Sequence, residues 1–126
     1  MKTGKITING TEHTLAFTVR AAAACEERFG GLKNLSDALT NGDRAIANIV
    51  WMLATMIDCG RRYMIANGED APDAPSEDDL LDTMSLDEIR ASVSSIMTTV
   101  AGGKETKVNA VPPKSAKKNV KATPRA

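Results

Sequence analysis

The pair Asn9-Gly10 constrains the fold of this chain more than any other feature, because it joins two short segments of alternating apolar and polar residues. Asn and Gly tolerate the positive φ angles that a type I′ turn requires at both central positions, so the pair predicts a β-hairpin. With this pair as the loop, Ile8 faces Thr11 and Ile6 faces His13 across two antiparallel strands.

Strand alternation divides this hairpin into an apolar face and a polar face. A two-stranded ribbon is only marginally stable in water, so we expect the helices that follow to cover the apolar face. The predicted apolar face consists of Ile6, Ile8, Leu15 and Phe17, and the opposite face of Lys5, Thr7, Glu12 and Thr14.

Caps and glycine stops predict where the first helices begin and end. Thr18 is a suitable N-cap for a helix over Val19–Phe29, and Gly30 is a suitable stop. One or two helical turns follow over residues 34–39 and end at Asn41-Gly42.

The longest predicted helix begins at Arg44, with Asp43 as its N-cap, and ends near Asn67, with Gly68 as the C′ residue. About 24 residues give a length of roughly 36 Å, so we expect part of this helix to project beyond the core. Its apolar residues recur with helical spacing and predict one continuous buried stripe. The stripe consists of Ile46, Ile49, Val50, Leu53, Met56, Ile57, Gly60, Tyr63 and Met64.

Two later segments have the spacing of a capping box, Ser76 with Asp79 and Ser85 with Glu88. The second opens an amphipathic helix over residues 86–100. Together these elements predict an α+β fold, mostly α, in which an N-terminal β-hairpin packs on a small bundle of helices.

Charge is distributed unevenly along the chain, although its formal net charge is zero. Residues 101–126 contain seven basic side chains and one acidic side chain, whereas residues 1–100 contain nine basic and fifteen acidic side chains. The last part of the chain also has three prolines and no aromatic residue. We therefore predict one folded domain over residues 1–101 and a disordered basic tail over residues 102–126.

Three roles suit such a tail: contact with nucleic acid, contact with an acidic protein surface, or a solubilising appendage. Without aromatic side chains for stacking, any nucleic-acid contact would be electrostatic and nonspecific. The appendage is the favoured interpretation, and contact with the acidic body of a neighbouring copy is the second.

The residues do not predict an enzyme, a cofactor or a metal site. His13 is the only histidine, and Cys25 and Cys59 lack metal-ligand or redox spacing. The carboxylates of residues 69–82 are interrupted by prolines, with no glycine placed for a calcium loop. We expect Cys25 and Cys59 to be buried free thiols in a reducing compartment. The predicted protein is soluble and cytosolic, and it is not an enzyme. Its longest apolar-rich stretch is too short to span a membrane.

Trp51 is the one residue that points to a binding surface. On the long helix it lies opposite the apolar stripe, among polar residues. An indole there is either covered by another part of the chain or available to a partner, because tryptophan is enriched at interface hot spots. The candidate partner-binding residues are Trp51, Arg44, Asn48, Thr55, Asp58 and Arg62.

Five motifs follow one another along the chain: Lys5-Ile6-Thr7-Ile8-Asn9-Gly10, Leu15-Ala16-Phe17, Glu27-Arg28-Phe29-Gly30-Gly31-Leu32, Gly60-Arg61-Arg62-Tyr63 and Ser85-Leu86-Asp87-Glu88-Ile89. Their order resembles the tail assembly chaperones of long-tailed bacteriophages and prophages over roughly residues 4–100. The resemblance implies a non-enzymatic protein of the host cell cytoplasm. Its implied partners are the tape-measure protein, which it coats and keeps soluble, and the tail-tube protein, whose subunits it recruits before leaving the finished tail. The resemblance also implies that a longer product is often made by ribosomal frameshifting near the end of the shorter frame.

Two other functions remain open from the sequence. A small nucleic-acid-associated adaptor would use the tail lysines as phosphate contacts, and its binding would depend steeply on salt. A minor virion structural protein, such as a tail-completion subunit, would remain in purified particles. Self-association is compatible with each of the three functions.

Overall fold

A computed structural model of the chain describes residues 3–102. The fold is α+β and mostly helical, with an N-terminal two-stranded antiparallel hairpin packed on helices, which confirms the predicted class. Apart from Gly102, the predicted tail over residues 102–126 lies outside the described residues. The elements are β1 (Thr3–Ile8), β2 (Thr11–Ala16), α1 (Val19–Phe29), α2 (Leu35–Thr40), α3 (Ala45–Ala66), α4 (Glu77–Thr83) and α5 (Leu86–Val100), with a 3₁₀ turn at Leu32–Asn34 before α2.

The hairpin has the predicted turn and register. Asn9 and Gly10 have φ angles of 51° and 83°, as a type I′ turn requires. Ile8 is paired with Thr11, and Ile6 with His13.

The face of the hairpin opposite Leu15 is also buried at one end of β2. Thr14 on this face is 9% exposed, and its neighbour Ala16 on the same face is fully buried. The cause is α3, which lies against this strand so closely that a Cβ added to Gly60 would overlap the carbonyl of Thr14. Only a glycine allows the helix to approach the strand backbone at this point.

The C-terminal end of α3 is as predicted, but its N-terminal end is not. Gly68 has a φ of 79°, and its N–H donates to Ile65 O while the Glu69 N–H donates to Met64 O, which is a Schellman motif. At the other end, Arg44 and not Asp43 is the N-cap residue, and no side chain caps the helix.

The interior of α3 is buried over a wider arc than the predicted stripe. Met52 and Cys59, which the stripe omitted, are 0% and 2% exposed, because α3 is covered on more than one side. The Cys25 thiol of α1 lies 3.4 Å from the Met52 sulfur, so α1 covers one of these sides. In contrast, Ile46 belonged to the predicted stripe but is 41% exposed.

Both predicted capping boxes are present. Ser76 Oγ accepts from the Asp79 N–H at 3.0 Å, and Ser85 Oγ accepts from the Glu88 N–H at 3.1 Å. Each acidic side chain accepts in return from the backbone N–H of its serine. These boxes fix the start of α4 and α5, whose apolar residues Leu80, Ile89 and Ile96 join the core with α3.

Candidate functional site

Trp51 is covered by the end of α1 and is only partly exposed. Its ring meets Phe29 edge to face, with the ring centroids 5.6 Å apart and an interplanar angle of 87°. The Arg28 guanidinium carbon lies 4.7 Å from the centroid of the Trp51 ring, within cation–π range. Coverage by another part of the chain, one of the two roles left open by the sequence, is therefore present, and Trp51 is only partly buried.

The other predicted binding residues divide into separate groups. Asn48 joins the Trp51 cluster, since its Oδ1 accepts from Arg28 at 3.4 Å and its Nδ2 donates to Ala38 O at 3.1 Å. Asp58 and Arg62 form an ion pair at 2.8 Å one turn apart on α3, and Thr55 lies half-buried between these groups along the helix. Arg44 instead lines a groove at the N-terminal end of α3.

This groove is an open cavity of about 840 Å³ where α2, α3, α4 and α5 meet, and it is hereafter called the α3–α5 groove. Ile46 and Leu81, two large apolar side chains in its lining, are 41% and 55% exposed. The groove is lined by Leu39, Thr40, Gly42, Asp43, Arg44, Ala45, Ile46, Ala47, Ile49, Leu81, Arg90 and Val93.

Sequence reasoning missed this groove because helical spacing assigned Ile46 to the core. One local signal was available at Leu80-Leu81, two adjacent leucines on a short, otherwise acidic helix whose side chains point about 100° apart. Leu80 is fully buried and Leu81 is exposed in the groove. An apolar residue next to a buried one, on an otherwise acidic helix, indicates a second apolar surface.

The charged groups of the α3–α5 groove are mainly positive. Arg44 and Arg90 line it, and neither forms an ion pair with another residue in the 3–102 range. The first turn of α3 also lines the groove without an acidic residue or a side-chain cap, and a helix N-terminus carries partial positive charge. Asp43 is the carboxylate in the lining.

A second polar feature is buried beneath the loop that joins α3 to α4. His13 Nδ1 and Arg61 Nε are both buried without a hydrogen-bond partner among the described residues. They line a cavity of about 10 Å³ together with Pro72, and burial lowers the pKa of His13. A cavity of this size holds about one water molecule, so the site can satisfy two buried polar atoms but has no room for a substrate.

Both cysteines are buried free thiols, and Cys25 is suited to packing and not to nucleophilic chemistry. Burial, with the neighbouring Cys59 as a smaller cause, raises the pKa of Cys25 to about 11, and a protonated thiol is a poor nucleophile. Within residues 3–102, no group of three His, Cys, Asp or Glu side chains is placed to hold a metal ion. The described helices also include none with the length and apolar character needed to cross a membrane.

The chain matches no protein-family model, no curated protein and no solved structure.

Proposed function

We propose that the protein is a tail assembly chaperone of long-tailed bacteriophages and that it binds an apolar helical segment of the tape-measure protein in the α3–α5 groove. The observation that carries the proposal is the groove itself, with Ile46 and Leu81 exposed beside a core that is complete without them. Exposed apolar side chains that line a concave surface are typical of sites for another protein.

The form of the groove favours a helical partner. Its walls are helices, and an apolar groove between helices accepts the apolar face of an amphipathic helix through side chains one turn apart. A tape-measure protein, which the sequence resemblance names as the partner, is long, helical and apolar. Covering such helices one segment at a time would keep it soluble and leave it accessible to tail-tube subunits.

The remaining parts of the proposal follow from the same resemblance. The protein acts in the host cell cytoplasm, catalyses no reaction and is absent from the mature virion. The Trp51 cluster stays a predicted second contact for the partner, since Trp51 and Asp58 are only partly buried and Arg62 is exposed on the same helix.

Co-expression with the tape-measure protein of the same genome tests the proposal. We expect the full chain to shift the tape-measure protein from the insoluble to the soluble fraction and to co-purify with it. Ile46→Asp and Leu81→Asp should abolish both effects, because a carboxylate would be buried against apolar surface in the complex.

Val19→Asp is the matched control, because Val19 is 87% exposed on α1 and lies outside the groove. It should behave like the unaltered chain. A tape-measure protein that stays insoluble and unbound in the presence of the full chain would contradict the function. Recovery of the chain in purified particles would indicate a virion structural protein instead.

A further inference from the structure

Resting on the proposed function, we infer that the segment held in the α3–α5 groove is an amphipathic helix whose apolar face is bordered by acidic residues, which pair with Arg44 and Arg90. The proposed function requires only an apolar helix. The charges that line the groove specify which helices of a long partner are selected.

The first argument is the contrast between the groove and the rest of the body. Residues 1–100 carry six more acidic than basic side chains, so a surface chosen at random is negative. The ionisable side chains in the groove are instead two arginines and one aspartate. A guanidinium next to apolar surface is well suited to a carboxylate, because it can bind one through two parallel hydrogen bonds.

The second argument is that these positive groups are not used within the fold. Both arginines are exposed, and neither has an ion-pair partner among residues 3–102. Arg61 and Arg62, in contrast, each have a nearby carboxylate on the same chain, Asp73 and Asp58. A partner carboxylate at the groove would therefore pair with a free cation and would not have to displace an existing partner.

The third argument is the start of α3, which adds to the same potential. Two of the other helices at the groove, α4 and α5, begin with acidic first turns and with capping boxes that satisfy part of their N-terminal N–H groups. The first turn of α3 has neither. Its partial positive charge therefore adds to the two guanidinium charges at the groove.

Two other occupants fit less well. The chain's own residues 103–126 carry seven basic side chains and one acidic one, so the arginines would repel them. A second copy could offer α4, its most acidic apolar helix. However, Leu80 is in the core and Leu81 already lines the groove, so α4 has no further large apolar residue to insert.

Binding of overlapping fluorescent peptides from the tape-measure protein to the full chain tests the inference. We expect the peptides that bind most tightly to carry Asp or Glu beside an apolar stripe with helical spacing. Arg44→Glu and Arg90→Glu should each weaken the binding of these peptides on the order of tenfold. Raised salt should weaken their binding to the unaltered chain. Replacing the peptide acids with lysine should weaken binding to the unaltered chain and restore binding to Arg90→Glu.

Arg20→Glu is the matched control, since Arg20 is an exposed arginine of α1 outside the groove. If Ile46→Asp abolishes binding while both groove arginine variants bind normally, the acidic partner is wrong and the proposed function stands. If Ile46→Asp also binds normally, the groove is not the site. If no peptide binds and co-expression gives no soluble complex, both proposals are wrong. A concentration-dependent dimer in sedimentation that Ile46→Asp abolishes would assign the groove to a second copy.

Discussion

Trp51 shows that a side chain on the polar side of its own helix can still stabilise the fold. Its helical position left coverage by the chain and contact with a partner both open, and Phe29 and Arg28 from α1 cover part of the ring. Aromatic pairs with edge-to-face geometry contribute about 0.5–1.5 kcal/mol beyond the area that they bury. The residue therefore has a role in stability as well as its predicted role in binding.

We expect Trp51→Ala to lower the free energy of unfolding by about 2 kcal/mol, less than truncation of a fully buried tryptophan because the ring is partly exposed. Urea denaturation at fixed pH measures the loss. Trp51→Phe should lose less unfolding free energy, since it keeps an aromatic ring near Phe29. A change below about 0.5 kcal/mol in Trp51→Ala would show that the α1 contacts contribute little.

His13 makes stability depend on pH. Burial holds its pKa below the ordinary value of 6.5, so the unfolded chain binds a proton more readily than the folded chain does. The contribution of neutral His13 to stability is therefore present above about pH 6.5 and is lost as the pH falls toward the lowered pKa. The Arg61 side chain in the same cavity is already positive and offers an imidazolium no favourable partner.

The prediction concerns the difference between the full chain and His13→Gln. Between about pH 7.5 and pH 5.5 the unaltered chain should lose more unfolding free energy than the variant, which has no imidazole to protonate. Denaturation curves at several pH values measure this difference. Parallel pH profiles for the two proteins would show that His13 does not titrate on unfolding in this range.

At the scale of elements, helix ends and helix packing follow different rules. The starts of α4 and α5 depend on residues within one turn, so their capping boxes have the predicted partners. The position of α3 against β2 depends instead on a contact between Gly60 and Thr14, which are far apart in sequence. The contribution of each kind of feature can be measured separately.

Ser85→Ala should lower the free energy of unfolding by about 1 kcal/mol, because it removes the acceptor for the Glu88 N–H. Asp43→Ala should change it by less than about 0.5 kcal/mol, because Asp43 does not cap α3. Chemical denaturation of both variants makes the comparison. If Asp43→Ala lost as much unfolding free energy as Ser85→Ala, Asp43 would cap α3 as the sequence predicts.

Gly60→Ala should lower the free energy of unfolding by about 3 kcal/mol, because the new methyl group would overlap strand backbone that cannot move aside. Gly42→Ala is a suitable control, since the nearest atom to its added Cβ would be Ala38 O at 3.6 Å. Thermal unfolding of the two variants tests the difference. Equal stability would mean that α3 can shift away from β2 without loss.

At the scale of the whole molecule, one helix organises the core. Residues of α3 pack with the hairpin, with α1 and α2, and with α4 and α5, and the buried residues form one cluster from Ile8 to Ile96. A single cluster of this kind predicts cooperative unfolding of the body. The same arrangement leaves the start of α3 exposed at the groove.

A chain that ends at Lys104 should therefore unfold in one cooperative thermal transition. We expect its midpoint to differ from that of the full chain by less than about 4 °C, which corresponds to about 1 kcal/mol for a domain of this size. Circular dichroism of the two chains measures the difference. Loss of the cooperative transition would show that residues 105–126 contribute to the core.

Features that depend on near neighbours could be predicted from the residues alone. These are the register set by Asn9-Gly10, the Gly30 and Gly68 stops, and the two serine capping boxes. Each involves φ preferences or hydrogen bonds within about five residues, so the local residues are sufficient to predict it.

Which surfaces are buried, in contrast, depends on how the elements pack together. Helical periodicity gives the direction of a side chain but not what lies in that direction, so Met52 and Cys59 were missed and Ile46 was assigned to the core. The covering of Trp51 and the α3–α5 groove likewise depend on elements distant in sequence. Burial depends on how helices and strands that are distant in sequence pack against one another, so it cannot be predicted from one helix alone.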